Sequence, residues 1–325
     1  MVQKQVHWRL LFRFLLSTGT IAVSPLPALT QRIPIADDTL GNERSLISPE
    51  RVINNLPSNQ IDGGAQRGAN LFHSFREFNV DDGRGVYFTN PAGVTNILTR
   101  VTGGNPSEIL GTLGVLGGNA NLFLLNPNGI LFGSNAQLNV GGSFIASTAN
   151  SLVFNNAFAF SATTPQAPPL LTVSVPLGLQ YGSNPGAIQS QGASLQVQEG
   201  QTLALVGGTV DVNGGQLLAP GGRVELGGVS VAGTVRWNSD GSLSFPDLIA
   251  RADVSLTNGA FVDVAAGGGG SIAIAARNLD LTEGSGLRAG IGEGLGFAQA
   301  QAGDITIQAA ESVILQGSSF IVNPV

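Results

Sequence analysis

Few side chains in this sequence could do chemistry, and their spacing limits what chemistry that is. The chain has two histidines. His7 lies in a basic N-terminal stretch, and His73 sits among Phe72, Phe75 and Phe78. A lone imidazole in such a run reads as a packed, hydrogen-bonded residue rather than a general base. Asp37-Asp38 and Asp81-Asp82 are adjacent pairs, whose side chains would point to opposite faces of a strand. Asp82-Gly83-Arg84-Gly85 reads as a turn rather than a cation loop. Glycoside hydrolysis needs two carboxylates about 5–10 Å apart. Asp211, Glu225, Asp253 and Asp263 are the acids that could align across neighbouring strands, so a polysaccharide hydrolase or lyase stays open as an alternative. Against it, no lysine follows Lys4 to serve as a base, and Trp237 and Tyr181 are isolated as sugar-stacking rings. Gly267–Gly270 lacks the aspartate of a glycine-rich calcium repeat. The glycine-rich stretches join strand to strand, unlike a phosphate loop. With no cysteine, there is neither a disulfide framework nor a thiolate metal site. No cofactor is expected.

The sequence spends its specificity on turns instead. Leu122–Leu125 and Ile130–Phe132 are short apolar runs hinged on Asn126-Pro127-Asn128-Gly129, followed by Ile130. Asn first, Pro second and Gly fourth is the type I turn signature. Asn90-Pro91-Ala92-Gly93 has the same grammar upstream, hinting at successive coils of one architecture. Runs of four or five residues broken by Gly and Asn mean short strands and tight turns. The 46 glycines, 11% charged residues and 6% aromatics exclude long helices and ordinary disorder alike.

The N-terminal segment, 1–30, reads as an exported leader. Lys4, His7, Arg9 and Arg13 form a basic region, Leu10–Val23 is mostly apolar, and cleavage falls after Ala28 or Thr30. A membrane anchor is the competing reading, although the clean apolar run is too short to span a bilayer. Without the leader, 12 Arg face 21 acids, a net charge of −9. That sign does not attract nucleic acid. A thiol-free chain also cannot be cross-linked by periplasmic oxidants and stays threadable.

Along the mature chain, residues 32–69 are polar and charged, as a cap over a bare strand edge should be. Strands are expected over Leu71–Phe78, Val86–Thr89 and Val94–Leu98. Between Val101 and Gly222 there is no Lys or Arg, and only Glu108, Glu199 and Asp211 are acidic. Stacked parallel coils disfavour like charges on successive rungs and favour amide ladders. A low-charge β-sandwich is the alternative. Prolines over 161–187 interrupt the rhythm and mark an excursion or loop. Strands resume over Ala193–Val197, Thr202–Val206, Thr209–Val212, Gln216–Leu218 and Arg223–Leu226. Near the end, Ile272–Leu287 aligns without gaps on Ile305–Phe320, pairing Leu281 with Ile314 and Gly284 with Gly317. Each unit alternates with period two and needs stacked neighbours to form a core. At about 20 residues per coil, roughly 14 coils would make a rod on the order of 65 Å long. No closing cap is visible after the last unit, which suggests a truncated product or part of something longer.

Several ordered blocks resemble the N-terminal secretion domain of filamentous haemagglutinin-like exoproteins, the cargo of bacterial two-partner secretion. They are Thr39-Leu40-Gly41, Asn70–Phe75, Arg100–Ser107, Ile109-Leu110-Gly111 and Leu122–Gly133, within a matching region from about Leu40 to Ala149. The resemblance implies an all-β fold, a right-handed parallel β-helix of the single-stranded pectin-lyase-like kind, with an N-terminal β cap. With the leader and the Pro-rich stretch read from their residues, the chain divides into a signal peptide (1–30), a secretion domain with cap (31–160), a Pro-rich excursion (161–187) and continuing β-helix (188–325). The resemblance also implies signal peptidase and the general secretion machinery as early partners. An outer-membrane β-barrel transporter with POTRA modules would then bind the unfolded domain. The family's turn motif falls on Asn126, Pro127, Asn128, Gly129 and Ile130, where a structural corner and a partner contact are both open. Its second motif, Asn-Pro-Asn-Leu, has no literal copy. The nearest are the turn at Asn90, Pro91 and Gly93, and Asn-Pro-Ser-Glu at Asn105. After export the chain would serve as an adhesin or surface scaffold against a host or neighbouring cell; a truncated toxin-delivery stalk is the remaining alternative.

Overall fold

The computed structural model describes residues 32–155, 158–168, 176–238, 240–246 and 248–324. The expected leader, 1–30, lies outside them. Inward-facing apolar residues recur in register: Leu71, Ile97, Leu122, Phe144, Leu203, Val224, Ile272 and Ile305 lie side by side on successive parallel strands. They define the first face of a parallel β-helix. A second face stacks Ser107–Ile109, Ile130–Phe132, Ile188–Gln191, Val210–Asn213, Val254–Thr257 and the second half of Ser271–Leu281. A third stacks Gly85–Thr89, Thr112–Leu116 and Gln137–Asn139, then Ser194–Gln196, Gln216–Leu218, Phe261–Asp263, Gly286–Arg288 and Phe320–Val322. The coil interior is one continuous apolar core from Ile61 to Ala289.

Among the described residues the first face carries eight rungs, not fourteen coils. Three faces and three corners consume more chain than a simple coil would, as the steps Leu71 to Ile97 to Leu122 show. Two longer steps, Phe144 to Leu203 and Val224 to Ile272, each contain a departure from the coil. Between Ser147 and Ile188 the chain forms Ser151–Val153, Ala159–Ser161 and Gly178–Tyr181; between Gly228 and Val254 it forms Gly233–Trp237 and Leu243–Ser244. The second departure has no counterpart in the sequence reading. The two excursions meet: Gly178–Tyr181 pairs antiparallel with Gly233–Trp237, completing a five-stranded antiparallel outer sheet.

That sheet lies over the outer side of the first face and encloses a second core. Phe72, Leu98, Phe123, Ile145 and Ala204 form the outward row and pack against Leu152, Phe154, Phe160, Leu179, Val235 and Ile249. A strand buried on both sides needs no alternation, and Leu122–Leu125 and Leu203–Val206 have none.

The N-terminal edge is covered as expected. Ile35–Ala36 and Ala65–Arg67 pair antiparallel with Asn70–Glu77, and Ser45–Ile53 pairs antiparallel with Leu56–Gly63. At the other end, the repeat aligns in space with one correction. Ile272 faces Ile305 and Ile274 faces Ile307, but a bulge between Ala276 and Asn278 shifts the register. Leu281 therefore meets Leu315 rather than Ile314. A bulge adds one residue to one strand of a pair, which a gap-free alignment cannot represent.

Candidate functional site

Asn126 directly follows the first-face strand Asn121–Leu125 and begins the corner to the second face. It is completely buried, so each of its polar groups needs a partner. Its amide nitrogen donates to Asn105 O and Ser107 Oγ, both at 3.0 Å, on the preceding rung. Its amide oxygen accepts from Asn128 N at 3.0 Å and from Asn128 Nδ2 at 3.2 Å. The type I closure is present, Gly129 N donating to Asn126 O at 3.1 Å. One side chain thus builds its own turn and ties it to the coil before it.

The corner is one layer of a column. Asn128 Nδ2 donates to Gly103 O at 2.7 Å. On the following rung, Gly186 N donates to Pro127 O and Ile130 N to Ala187 O, each at 3.0 Å. Layers this close leave no room for a side chain. Gly129 has φ +124, and a Cβ there would lie 3.1 Å from Ala187 O; one on Gly186 would lie 2.5 Å from Gly129 N. The column thus stacks Asn184-Pro185 in register on Asn126-Pro127, whereas Asn105-Pro106 lies two residues along, beside Asn128-Gly129. Asn128 is the exposed member of its corner, Pro127 is half-buried, and Gly129 and Ile130 are buried.

The turn at Asn90, Pro91 and Gly93 belongs elsewhere. It leads from the third face back to the first, and its closure runs from Val94 N to Pro91 O, one residue later than the sequence suggests. The distance along the chain between the two turns is thus not the coil period. They share a grammar but not a place.

Other polar residues are structural too. His73 is buried, its Nδ1 is 2.9 Å from Ser45 Oγ, and burial pushes its pKa down to about 3. It is the packed histidine the sequence implied, neutral at any physiological pH. Arg100 was not singled out by its chemistry, yet it is completely buried. Its Nε donates to Ser74 Oγ at 2.9 Å, its Nη2 to Thr39 Oγ1 at 2.8 Å, and its guanidinium lies 4.2 Å from the centre of the Phe160 ring. Burial lowers its pKa to about 10, opposed by the charge of Asp37. Burial alone would raise the Asp37 carboxyl, but hydrogen bonds from Thr102, Thr39 and Ser74 bring it below the usual range. Cap, first two rungs and outer sheet are joined through this network.

The four acids considered for a groove enzyme do not converge. Asp211 lies on the second face, accepting from Ser255 Oγ and Thr209 Oγ1. Asp253 is paired with Arg277, and Asp263, on the third face, with Arg288. Glu225 is buried on the outer side of the first face beside Arg223, where burial raises its pKa to about 7. Among the described residues no cluster of three His, Asp or Glu could hold a metal.

Comparison with known proteins agrees with this geometry. The TPS secretion domain family model matches residues 34–274. The heme/hemopexin-binding protein of Haemophilus influenzae is 32% identical over 106 residues, covering 33% of this chain and 9% of that protein. This chain therefore matches a small part of that relative's length. The HMW1 secretion domain from Haemophilus influenzae superimposes with a TM-score of 0.56 at 20% identity, covering 84% of this chain and 65% of that one. At that identity the likeness is one of fold. The filamentous hemagglutinin secretion domain gives a TM-score of 0.45 at 15% identity, with 89% and 97% covered. Because the family model takes in well over half of the sequence, the chain belongs to the TPS secretion domain family.

Proposed function

We propose that this chain is the part of an exoprotein that an outer-membrane β-barrel transporter with POTRA modules takes from the periplasm, and that it coils at the cell surface as an adhesin or scaffold. Signal peptidase and the general secretion machinery would act first, on the leader at 1–30. The observation that best supports this reading is the self-contained corner column. Asn126 reaches all its partners inside the coil, so the motif's work in the folded state is to close rungs. A partner contact by Asn126 itself would have to precede folding.

This suggests how export proceeds without nucleotide hydrolysis. A coil gains stability rung by rung. Each rung that closes outside buries apolar side chains worth about 1.5–3 kcal/mol apiece, which opposes backsliding. The test is expression in a cell with and without a cognate POTRA-barrel transporter. Cleaved, protease-resistant chain should reach the medium or the cell surface only when the transporter is present. Equal release without it, or retention with the leader uncut, would defeat the proposal.

A further inference from the structure

We propose that the groove between the outer sheet and the starts of the first-face strands is a binding subsite for a neutral saccharide. The groove has a volume of about 380 Å³ and is lined in part by Asn96, Asn121, Phe123, Leu177, Trp237 and Asn238. That is within the size range of small-molecule sites, which combine apolar walls with a few placed polar groups.

The wall is built by two parts of the fold. On the coil side, Asn70, Asn96 and Asn121 stack on successive rungs, Asn121 Nδ2 donating to Asn96 Oδ1 and Asn96 Nδ2 to Asn70 Oδ1, each at 3.0 Å. Asn121 Oδ1 also accepts from Ser143 N at 2.9 Å. A side-chain amide has two N–H groups and two lone pairs, so Asn121 keeps one of each for a ligand. On the outer-sheet side, Trp237 stands edge-on to Phe123, with ring centroids 5.6 Å apart. No acceptor is found for its indole N–H among the described residues. Asn238 Nδ2 is occupied by Ser242 and Ser244, which leaves its Oδ1 as an acceptor. Leu177 is 43% exposed beside them.

This chemistry selects against two classes of ligand. No ionisable side chain lines the groove, so a charged molecule would be desolvated without a counter-charge. A purely apolar molecule would bury the Asn121 and Asn238 amides unpaired. A sugar ring suits the remainder: its hydroxyls both donate and accept, and its C–H face can lie against indole and leucine.

Trp237 and Trp8 are the two tryptophans, so in the full chain carrying Trp8→Phe the fluorescence reports on this groove alone. That chain is titrated with lactose, cellobiose and maltotriose, and with sialyllactose and trialanine as charged and peptide comparators. At least one neutral sugar should give a saturating change with a dissociation constant on the order of millimolar. Asn121→Ala should weaken it roughly fivefold, the effect of one lost hydrogen bond. Leu177→Glu changes an exposed side chain, so the fold is kept while the groove gains a charge, and the signal should be lost. No response to any neutral sugar, an unchanged response in Leu177→Glu, or a response to trialanine or sialyllactose alone would overturn the proposal.

Discussion

Asn126 and Asn128 share one turn, yet they differ in what their loss should cost. Removing the Asn126 amide leaves Ser107 Oγ without its partner in a buried place, while Asn105 O and Asn128 N lose theirs near solvent. A buried orphaned group costs on the order of 1–3 kcal/mol, so Asn126→Ala should lower unfolding free energy by about 2 kcal/mol. Asn128 is exposed, and water replaces its bonds; Asn128→Ala should cost about 1 kcal/mol or less. Urea denaturation of the two variants checks both. Glu225 makes a separate prediction. Its folded pKa of about 7 lies above the ordinary 4.5, so the folded state binds the proton more tightly. The resulting stability is fully present below pH 4.5 and is lost as pH rises through 7. The difference is roughly 3 kcal/mol, and Glu225→Gln should flatten denaturation midpoints between about pH 5 and 8. At this scale His73 and the Asn126 turn were legible, because a lone ring among phenylalanines and an Asn-Pro-x-Gly string carry local meaning. Arg100 was not. Its burial depends on Phe160 and Thr39, both far from it along the chain.

The two excursions matter at the scale of elements, since both leave at the first-to-second-face corner and complete one sheet. Replacing 229–253 with a short glycine linker removes Gly233–Trp237, the partner of Gly178–Tyr181, and withdraws Val235 and Ile249 from the second core. The coil rungs keep their own pairings. The variant should therefore retain its strand signal in circular dichroism, bind a hydrophobic dye and lose several kcal/mol of stability. An unaltered dye response and stability would show that the outer sheet does not hold the coil. The signal for this cover was present in the sequence: Leu203–Val206 is apolar throughout, whereas Ile305–Gln308 alternates. A run apolar on both sides says that something covers it, but not what. The covering strands Gly178–Tyr181 and Gly233–Trp237 come from separate departures with several coil strands between them, and no local pattern encodes that pairing.

For the whole molecule, parallel stacking follows from glycine, amides and the scarcity of charge between Val101 and Gly222. Asn70, Asn96 and Asn121 form the ladder that such a stack favours. The number of rungs was less legible, because corners and excursions consume residues without adding rungs. Closure of these rungs outside the cell is the step on which the proposed export depends. Its corner column ties that step to the buried side of the motif rather than to its exposed side. The most direct test measures the secreted fraction of wild type, Asn126→Ala, Asn128→Ala and Gly129→Val beside the cognate transporter, against the unfolding free energy of each refolded protein. Secretion should fall with stability: Asn126→Ala and Gly129→Val made but not released, Asn128→Ala released almost as wild type. Loss of secretion in Asn128→Ala at unchanged stability would contradict the account and assign the corner to the transporter instead.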